Sequence, residues 1–317
     1  MLSISLAPVA WCAAQPGREY RIGYLSFPPL AETPSPPRTA FLRALDRLGY
    51  AQGKNLEIIY RSAEANMEML AEAAGDLVEQ KPDVIFAAGT PAALAAKRAT
   101  RTIPIVMFAA DPVLNDIVVS LAKPGGNVTG VSGVQTRLSP KRLEILKETL
   151  PHASRVAVLW SQAHPSHTHE LAAIGSRARE LGLVLQPYDV TRLQDLQTAF
   201  GRMSANRPDA ILAMFDYRTL LYRELIAEFA TRNKLPAIFG SRESVDAGGL
   251  MSYGPNLSES FARAATFIDR ILNGADPRTL PVEQPTRFEL VINRKTARSI
   301  GLGISESLLL RANVLVQ

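Results

Sequence analysis

The sequence predicts an α/β protein of two lobes, each a parallel sheet with helices on both faces. At 317 residues the chain exceeds one average domain. Short apolar strands alternate with amphipathic helical stretches along its whole length. The same series of strands and helices also occurs twice, once in each half. We therefore expect two similar, Rossmann-like lobes.

The first series begins with a strand from Tyr20 to Phe27. A proline-rich loop, a helix over 39–50 and a strand over 55–61 follow it. The segments 81–90 and 103–112 each hold another strand, with a helix between them. This alternation is typical of parallel strands joined by helices.

The second series repeats this order. It opens with a strand from Arg155 to Ser161, followed by a histidine-rich loop, a helix over 170–182 and a strand over 183–190. The segments 207–216 and 235–244 then match the last two strand segments of the first series. The parallel between the halves supports two lobes of one architecture.

Three segments are predicted to cross between the lobes, and three crossings suggest a hinge. They are 122–133 and 246–256, in which paired glycines break helix and strand, and 285–302, a strand that enters a helix. The predicted division of the chain is a leader over 1–19, a first lobe over 20–130 plus 253–284, and a second lobe over 131–252 plus 285–317.

The N-terminus resembles the end of a secretory signal, because an apolar run ends in small residues before a polar stretch. Cleavage after Ala14 fits best and predicts a periplasmic protein. No Lys or Arg precedes Arg18, so the basic start of a signal would lie upstream of Met1. A tail without a targeting role is the alternative. Lipid attachment at Cys12 is disfavoured by the bulky Trp11 before it.

Composition excludes several classes of protein. The net charge is +5, but Lys and Arg are spread along the chain, which favours solvated helix faces over a nucleic-acid surface. Beyond the N-terminus no apolar stretch approaches the roughly 20 residues that span a bilayer. Cys12 is the only cysteine, so the mature chain would have no disulfide, thiolate metal site or cysteine nucleophile.

Ligands of open parallel sheets bind beyond the carboxyl ends of the strands. Thr90 and Pro91 follow such a strand and predict a helix start, with Thr90 as N-cap and Pro91 at the first helical position. The free N–H groups of that helix suit a carboxylate. The alternative for both residues is a plain structural cap.

Two carboxylates end strands, Asp111 in the first half and Asp216 in the second. Either can pair with a ligand ammonium, or can instead cap the helix that follows. The other candidate ligand-binding residues at strand ends are Ser26, Trp160, Ser161, Tyr217, Arg242, Glu243 and Tyr253. The aromatic ones suit a wall against a planar ligand, and packing between the lobes is their alternative role.

Neither a metal site nor catalysis is predicted. His164, His167 and His169 invite a metal interpretation, but apart from Glu170 no carboxylate accompanies them, and we interpret them as a solvated loop or helix start. The chain has no G-x-G-x-x-G after its first strand, no phosphate loop and no G-x-S-x-G turn. We therefore expect no cofactor and no enzymatic activity.

Taken together, the motifs resemble the ABC transporter substrate-binding protein family, which includes binders of tryptophan and other aromatic amino acids. The resemblance runs from Arg21 to the C-terminus. The segments that carry it are RIGYLS, LGYAQGKNLEIIYR, PDVIFAAGTPAALAAKRAT, IPIVMFAADPV, LAKPGGNVTGVS, KRLEILKETLP, RVAVLW, LPAIFGSRESVDAGGLMSYGPNL and LPVEQPTRFELVINRKTARSIGL.

The resemblance implies a type I periplasmic-binding fold whose lobes, joined by three crossing strands, close on a ligand by hinge motion. It implies a monomer that delivers a small molecule to an ABC transporter permease in the inner membrane. Matching motifs make Ser26, Thr90, Pro91 and Asp111 ligand contacts of the first lobe, and Asp216, Arg242 and Glu243 those of the second.

The sequence departs from the family at two places that face the ligand. Members often carry Asn where this chain has Trp160 and Ser161, and a small residue or Pro near Phe215. The ligand therefore cannot be copied from a relative. The strand-end residues themselves favour a small molecule with a carboxylate, an amine and a flat apolar body.

Two other functions compete with solute binding. A ligand-sensing domain of a transcriptional regulator shares this fold, but such proteins place a helix-turn-helix ahead of the first strand, where this sequence has about 20 residues. An enzyme is the second alternative.

Overall fold

The computed structural model of the protein describes residues 18–317, and its strands form two sheets. The expected cleavage site after Ala14 and the thiol of Cys12 lie outside these residues. The first sheet has the order β2-β1-β3-β4-β5 and is parallel throughout. Its strands are β1 (Tyr20–Ser26), β2 (Leu56–Ser62), β3 (Val84–Ala88), β4 (Ile105–Ala109) and β5 (Val128–Ser132).

The second sheet has the order β12-β11-β10-β9-β8-β6-β7. Its strands are β6 (Arg155–Trp160), β7 (Val184–Asp189), β8 (Ala210–Ala213), β9 (Ala237–Phe239), β10 (Met251–Gly254), β11 (Glu289–Asn293) and β12 (Val314–Val316). Only β10 and β11 pair antiparallel. The predicted class of two α/β lobes is confirmed, with this one antiparallel pair added.

Helices cover the faces of both sheets. Those from the first half and its return segment are α1 (Pro36–Arg47), α2 (Met67–Glu79), α3 (Thr90–Ala99) and α10 (Leu257–Leu272). The remaining helices are α4 (Gln135–Thr149), α5 (His167–Glu180), α6 (Leu193–Ala205), α7 (Tyr217–Leu221), α8 (Arg223–Arg232), α9 (Arg242–Asp246), α11 (Arg294–Ser299) and α12 (Glu306–Arg311). None of the helices described over 18–317 is long and apolar enough to cross a membrane.

The first helix begins earlier than the sequence predicted. Its expected start was Thr39, after a proline-rich loop, whereas the helix starts at Pro36. Proline is favoured in the first turn, because its missing N–H would have no partner there and its φ already suits a helix. Two of the prolines that indicated a loop, Pro36 and Pro37, are therefore part of the helix.

The first sheet is buried on both faces, which is why its strands read as continuous apolar runs. On one face Phe41 of α1 stacks on Phe86 of β3, with ring centroids 4.6 Å apart. On the other face Leu77 of α2 packs with Ile85 and Met107. We call this sheet with its helices the first lobe, and the seven-stranded sheet with its helices the second lobe.

Helix α10 completes the first lobe although it comes from the last quarter of the chain. It packs along α1 and against β3, β4 and β5. Phe267 and Ile268 of this helix are fully buried in the same cluster as Phe41 and Phe86. The first lobe is thus assembled from two separate pieces of chain.

The chain passes between the lobes three times. The first crossing leads from β5 to α4, the second from β10 to α10, and the third from Glu283 to β11. Glu283 still belongs to the first lobe, since it forms a bridge with Val131. The lobe boundaries remain a prediction, but Tyr253, which the prediction placed in the first lobe, pairs with Leu290 in the second sheet.

Candidate ligand-binding site between the two sheets

Residues that follow strands of one lobe contact residues that follow strands of the other. The ring of Phe27, just after β1, meets the ring of Tyr217 edge to face, with centroids 5.4 Å apart. The guanidinium of Arg218 lies 5.2 Å from the centroid of the Phe27 ring. Asn115 Nδ2 of the first lobe donates to Ser166 Oγ of the second lobe at 2.8 Å. The carboxyl ends of the two sheets therefore face each other.

The start of α3 differs in detail from the prediction. Thr90 was expected to be the N-cap, but Gly89 occupies that position with φ +112°, a conformation that favours glycine, and Thr90 and Pro91 form the first two helical residues. The hydroxyl of Thr90 instead accepts a hydrogen bond from the backbone N–H of Ala110 at 2.9 Å. This bond ties the helix start to the end of β4 and leaves the N-terminus of α3 at the strand ends.

Ser26 ends β1 and is buried, and its hydroxyl donates to the carbonyl of Pro28 at 3.0 Å. Ser62 at the end of the neighbouring β2 donates to the same carbonyl at 2.7 Å. The loop after the first strand is therefore fixed by two hydroxyls. Ser26 lies at the predicted strand end, and its side chain has a structural partner.

Asp111 follows β4 and reaches across to the beginning of the second lobe. Its Oδ2 accepts from Thr136 N at 2.8 Å and from Thr136 Oγ1 at 2.7 Å. A carboxylate at this place meets the N-terminal end of α4, where the helix dipole favours negative charge. Oδ1 accepts no hydrogen bond from the residues that the structure describes, and the side chain is partly exposed.

Asp216 follows β8 and is the N-cap of the short helix α7. Its Oδ1 accepts from Thr219 N at 2.7 Å, and its Oδ2 lies 3.8 Å from Nη1 of Arg218. The side chains of Asp216 and Arg218 are 2% and 6% exposed. The capping alternative of the prediction therefore describes Asp216, whose two oxygens both have partners.

The aromatic candidates line different parts of the second lobe. Trp160 and Tyr253 are half-buried and pack against the core of the second sheet. Tyr217 packs instead against the core of the first lobe, and its buried hydroxyl has no hydrogen-bond partner among residues 18–317. Burial raises the pKa of Tyr217, which stays a neutral phenol.

Two candidates at the end of β9 point in different directions. Arg242 is exposed, and its Nε lies 3.3 Å from Asp246 Oδ2, one turn further along α9. The structure therefore does not bring Arg242 together with the other candidates. Glu243 is largely buried, and burial raises the pKa of its carboxyl. Its Oε2 has no hydrogen-bond partner in the described part of the chain.

The histidine segment contains the start of a helix, one of its two predicted alternatives, because α5 begins at His167, but the segment is not the solvated loop of the other alternative. His164 is 8% exposed and His167 is fully buried, and their ring centroids lie 4.2 Å apart. His167 Nδ1 accepts from the backbone N–H of Ser161 at 2.9 Å, and Ser161 is itself fully buried. Only His169 of the three is exposed.

The physical reason is that the first turn of α5 turns its inner face toward the end of β6. Burial, His167 and Arg218 together hold the pKa of His164 well below its usual value, so that it is neutral near pH 7. Over 18–317 no group of three histidine, cysteine or acidic side chains is placed to hold a metal ion.

Sequence reasoning missed a buried polar network beneath this site. Arg142 of α4 is fully buried and donates to Tyr253 O at 2.7 Å, to Ser139 Oγ at 2.8 Å and to Gln135 Oε1 at 2.7 Å. Its Nη1 lies 3.9 Å from Oε1 of Glu170, which is also fully buried. Ser139 Oγ donates to the same carboxylate.

A signal for the network is present in the sequence. Arg142 lies four residues after Leu138 and four before Leu146, which is an apolar stripe position of α4. Glu170 lies four residues before the buried Ile174 of α5. A charge on each of two apolar stripes indicates a buried pair.

The sequence of this chain is similar to those of known proteins. The family model for the ABC transporter substrate binding protein matches residues 35–316. A tyrosine-binding protein of Clostridioides difficile is 28% identical over 266 residues, which is 84% of this chain and 76% of that protein.

Two solved structures are 25% identical to this chain and cover 94% of it. One is an ABC domain from Streptococcus pneumonia in complex with L-Trp, with a TM-score of 0.86 and all of that chain covered. The other is a ligand-free, open substrate-binding protein from Clostridium difficile, with a TM-score of 0.67 and 99% of that chain covered. At equal identity, the structure of this chain superposes better on the complex with L-Trp than on the open structure.

Proposed function

Because the chain belongs to the ABC transporter substrate binding protein family, we propose that it binds an aromatic amino acid between its lobes and delivers it to an ABC importer. The proposal rests on one observation above all. Residues after β1 and β8 touch across the lobes, which is the place where ligands of paired α/β sheets bind. The tyrosine-binding and L-Trp-bound relatives support an aromatic amino acid as its class.

Two features support a ligand with both a carboxylate and an ammonium. The N-terminus of α3, fixed by the bond from Ala110 to Thr90, offers free N–H groups and a positive dipole end to the carboxylate. Asp111 keeps Oδ1 free for the ammonium, whereas both oxygens of Asp216 are engaged. We therefore propose Asp111, of the two aspartates, as the ammonium acceptor.

Aromatic side chains support the flat apolar body of the ligand. Tyr217 and Phe27 meet at the contact between the lobes, and Trp160 and Tyr253 are half-buried near strand ends of the second lobe. A ligand ring placed among them would gain both burial and edge-to-face contacts. Ser26, Ser161 and Glu243 remain proposed polar contacts, while the exposed position of Arg242 makes it the weakest of the predicted set.

The proposal also covers the transport partner, the oligomeric state and the cellular location of the protein. A permease of the inner membrane would receive the ligand from a monomeric protein outside the cytoplasm, and no reaction would be catalysed. Export is tested by expressing the gene with its native upstream region. We expect periplasmic protein with its N-terminus near Gln15, and cytoplasmic protein that retains Met1 would contradict the proposal.

A thermal-shift panel tests the ligand class. It contains L-tyrosine, L-tryptophan, L-phenylalanine, branched amino acids, aromatic carboxylates, sugars and purines. A ligand at one hundred times its Kd stabilises the folded state by about 2.7 kcal/mol. At roughly 2 to 4 °C per kcal/mol, the melting temperature should rise by several degrees with an aromatic amino acid. A shift with a sugar or a nucleoside alone would overturn the proposed ligand and the carboxylate site at α3.

A further inference from the structure

The three crossings between the lobes are tied to one another pairwise. The first and third are joined by backbone bonds, from Ser132 N to Glu283 O at 2.8 Å and from Glu283 N to Gly130 O at 2.9 Å. The second and third are joined by the side chain of Asn256, whose Nδ2 donates to Glu289 Oε1 at 3.1 Å. A pocket of about 460 Å³ is lined by Asn256 of the second crossing, by Glu283 to Arg287 of the third, and by Val131 at the end of the strand that leads into the first.

Arg142 supplies the remaining tie. Its Nη2 donates to the side chain of Gln135, the first helical residue after the first crossing. Its Nε donates to the carbonyl of Tyr253, where the second crossing leaves β10. Gln135 on α4 and Tyr253 in β10 both belong to the second lobe, so one planar guanidinium fixes the distance between the second-lobe ends of the two crossings, because its donors have a rigid, forked geometry.

The end of β10 has no room for a side chain at Gly254, next to the carbonyl that Arg142 contacts. A Cβ added to Gly254 would lie 3.6 Å from Arg142 Nη2 and only 2.2 Å from the carbonyl oxygen of Gly240. A side chain at this position would therefore displace the strand end from which Arg142 takes its acceptor.

Arg142 keeps its positive charge although its side chain is buried. Burial lowers the pKa of Arg142 to about 10, which leaves it charged near pH 7. The carboxyl group of Glu170 lies 3.9 Å away. Burial raises the pKa of this carboxyl, while His167, Arg142 and the hydrogen bond from Ser139 act in the opposite direction. Glu170 lies on α5, and its hydrogen bond with Ser139 and its ion pair with Arg142 do not join it to either crossing. Arg142 therefore contacts the crossings, and Glu170 supports Arg142.

We propose that Arg142 is a positioning residue for lobe closure: it holds the first and second crossings at a fixed separation and so sets the axis about which the lobes close on the ligand. Closure about a defined axis keeps the ligand groups of both lobes in register, so loss of the tie lowers ligand affinity. This inference depends on the proposed function only for its ligand readout.

The experiment measures the distance between spin labels at exposed positions of the two lobes, in Lys54→Cys, Arg202→Cys protein with Cys12→Ser. The Arg142→Gln, Glu170→Gln double variant removes both charges and leaves no buried charge unpaired. We expect a broader distance distribution without ligand, and affinity for L-tyrosine or L-tryptophan lower by about five- to tenfold.

Two single variants distinguish the tie of Arg142 to the crossings from its ion pair with Glu170, which joins α4 and α5. Glu170→Gln keeps the bonds of Arg142 to Gln135 and Tyr253 and should leave the distribution narrow. Arg142→Lys keeps a positive charge but has no fork to reach both crossings, so it should broaden the distribution. Glu148→Gln, an exposed position on the same helix, is the matched control.

The outcomes are distinct. A double variant with wild-type distances and affinity would overturn the inference, as would a Glu170→Gln variant that broadens the distribution as much as Arg142→Lys does. If neither amino acid binds the wild-type protein, the proposed function fails, and the distances measured without ligand still decide the role of Arg142.

Discussion

The two lobes share an architecture but differ at the ends of their strands. In the first lobe these ends carry neutral groups, Ser26, Ser62 and Thr90, each bonded to nearby backbone, and one partly exposed carboxylate, Asp111. In the second lobe the corresponding region is built on charged and titratable groups that are buried together. They are Arg142, His164, His167, Glu170, Asp216 and Arg218.

This difference separates binding from support. A buried charge that is already paired stabilises its surroundings and has little left for a ligand. A partly exposed carboxylate with a free oxygen can still bind an ammonium. The first lobe therefore has the better-placed ligand group, and the second lobe has the electrostatic framework that holds its own loops in place. Four predictions test this division.

The largest effect is expected where a buried charge loses its partner. Asp216→Ala removes the cap of α7 and leaves the guanidinium of Arg218 buried without its carboxylate. We expect the free energy of unfolding in urea to fall by about 3 to 5 kcal/mol. Asp246→Ala, which breaks the exposed pair with Arg242, should cost less than about 1 kcal/mol. Equal losses in the two variants would show that burial adds nothing to the contribution of the pair of Asp216 and Arg218.

Ligand affinity should show the opposite order. Asp111→Asn removes the charge that we assign to the ligand ammonium and should weaken binding of an aromatic amino acid roughly ten- to hundredfold by calorimetry. Asp216→Asn retains a side chain that can cap α7 and should weaken binding much less. If Asp216→Asn had the larger effect, the ammonium site would belong to the second lobe.

The buried histidine predicts a dependence of stability on pH. The pKa of His164 is lower in the folded protein than in the unfolded chain, so below about pH 6.5 only the unfolded chain takes up this proton. Stability is therefore full above that pH and falls as the pH drops, by up to about 1.4 kcal/mol per pH unit. His164→Gln should flatten this slope in urea titrations between pH 6.5 and 5.

The exposed His169 serves as the control, because it lies on the outer side of the same helix turn. We expect His169→Gln to keep the wild-type slope. The charged or titratable neighbours of His164 are His167 and Arg218. A wild-type slope in His164→Gln as well would mean that a group other than His164 governs the loss of stability in acid.

The smallest effect concerns a single bond between the lobes. Asn115→Ala removes the donor to Ser166 Oγ and should lower ligand affinity by about 1 kcal/mol, or roughly fivefold. Ser166→Ala should have a similar effect, and the double variant should be no weaker than either single one. Additive losses would show that the two side chains act separately and do not join the lobes.

The sequence predicted much of this arrangement because its strands are short apolar runs at regular intervals. The strand-end candidates other than Tyr253, which lies within β10, follow or end a strand, and Asp216 forms the cap that was one of its two predicted roles. Thr90 was assigned as N-cap on residue preference alone, but the glycine before it takes the cap because φ there is positive. Residue preferences for the N-cap position do not take the backbone φ angle into account.

Tertiary packing explains what the sequence did not predict. His164 and His167 are polar residues, and a local sequence pattern therefore predicts that they are exposed. They are buried because the inner face of α5 packs against the end of a strand, and a local pattern contains no information about that contact. Arg142 and Glu170 each look like an ordinary surface charge until both helices are placed side by side. Their positions on two apolar stripes become informative only as a pair.

The return of α10 to the first sheet has a consequence for the order in which the chain can fold. The aromatic cluster around Phe41 and Phe86 is completed by Phe267 and Ile268. A nascent chain must therefore grow about 180 residues past β3 before this half of the protein can close its core. Until then an apolar sheet face stays open, and contacts so distant in sequence form slowly. We therefore expect the first lobe to complete its core only late in synthesis.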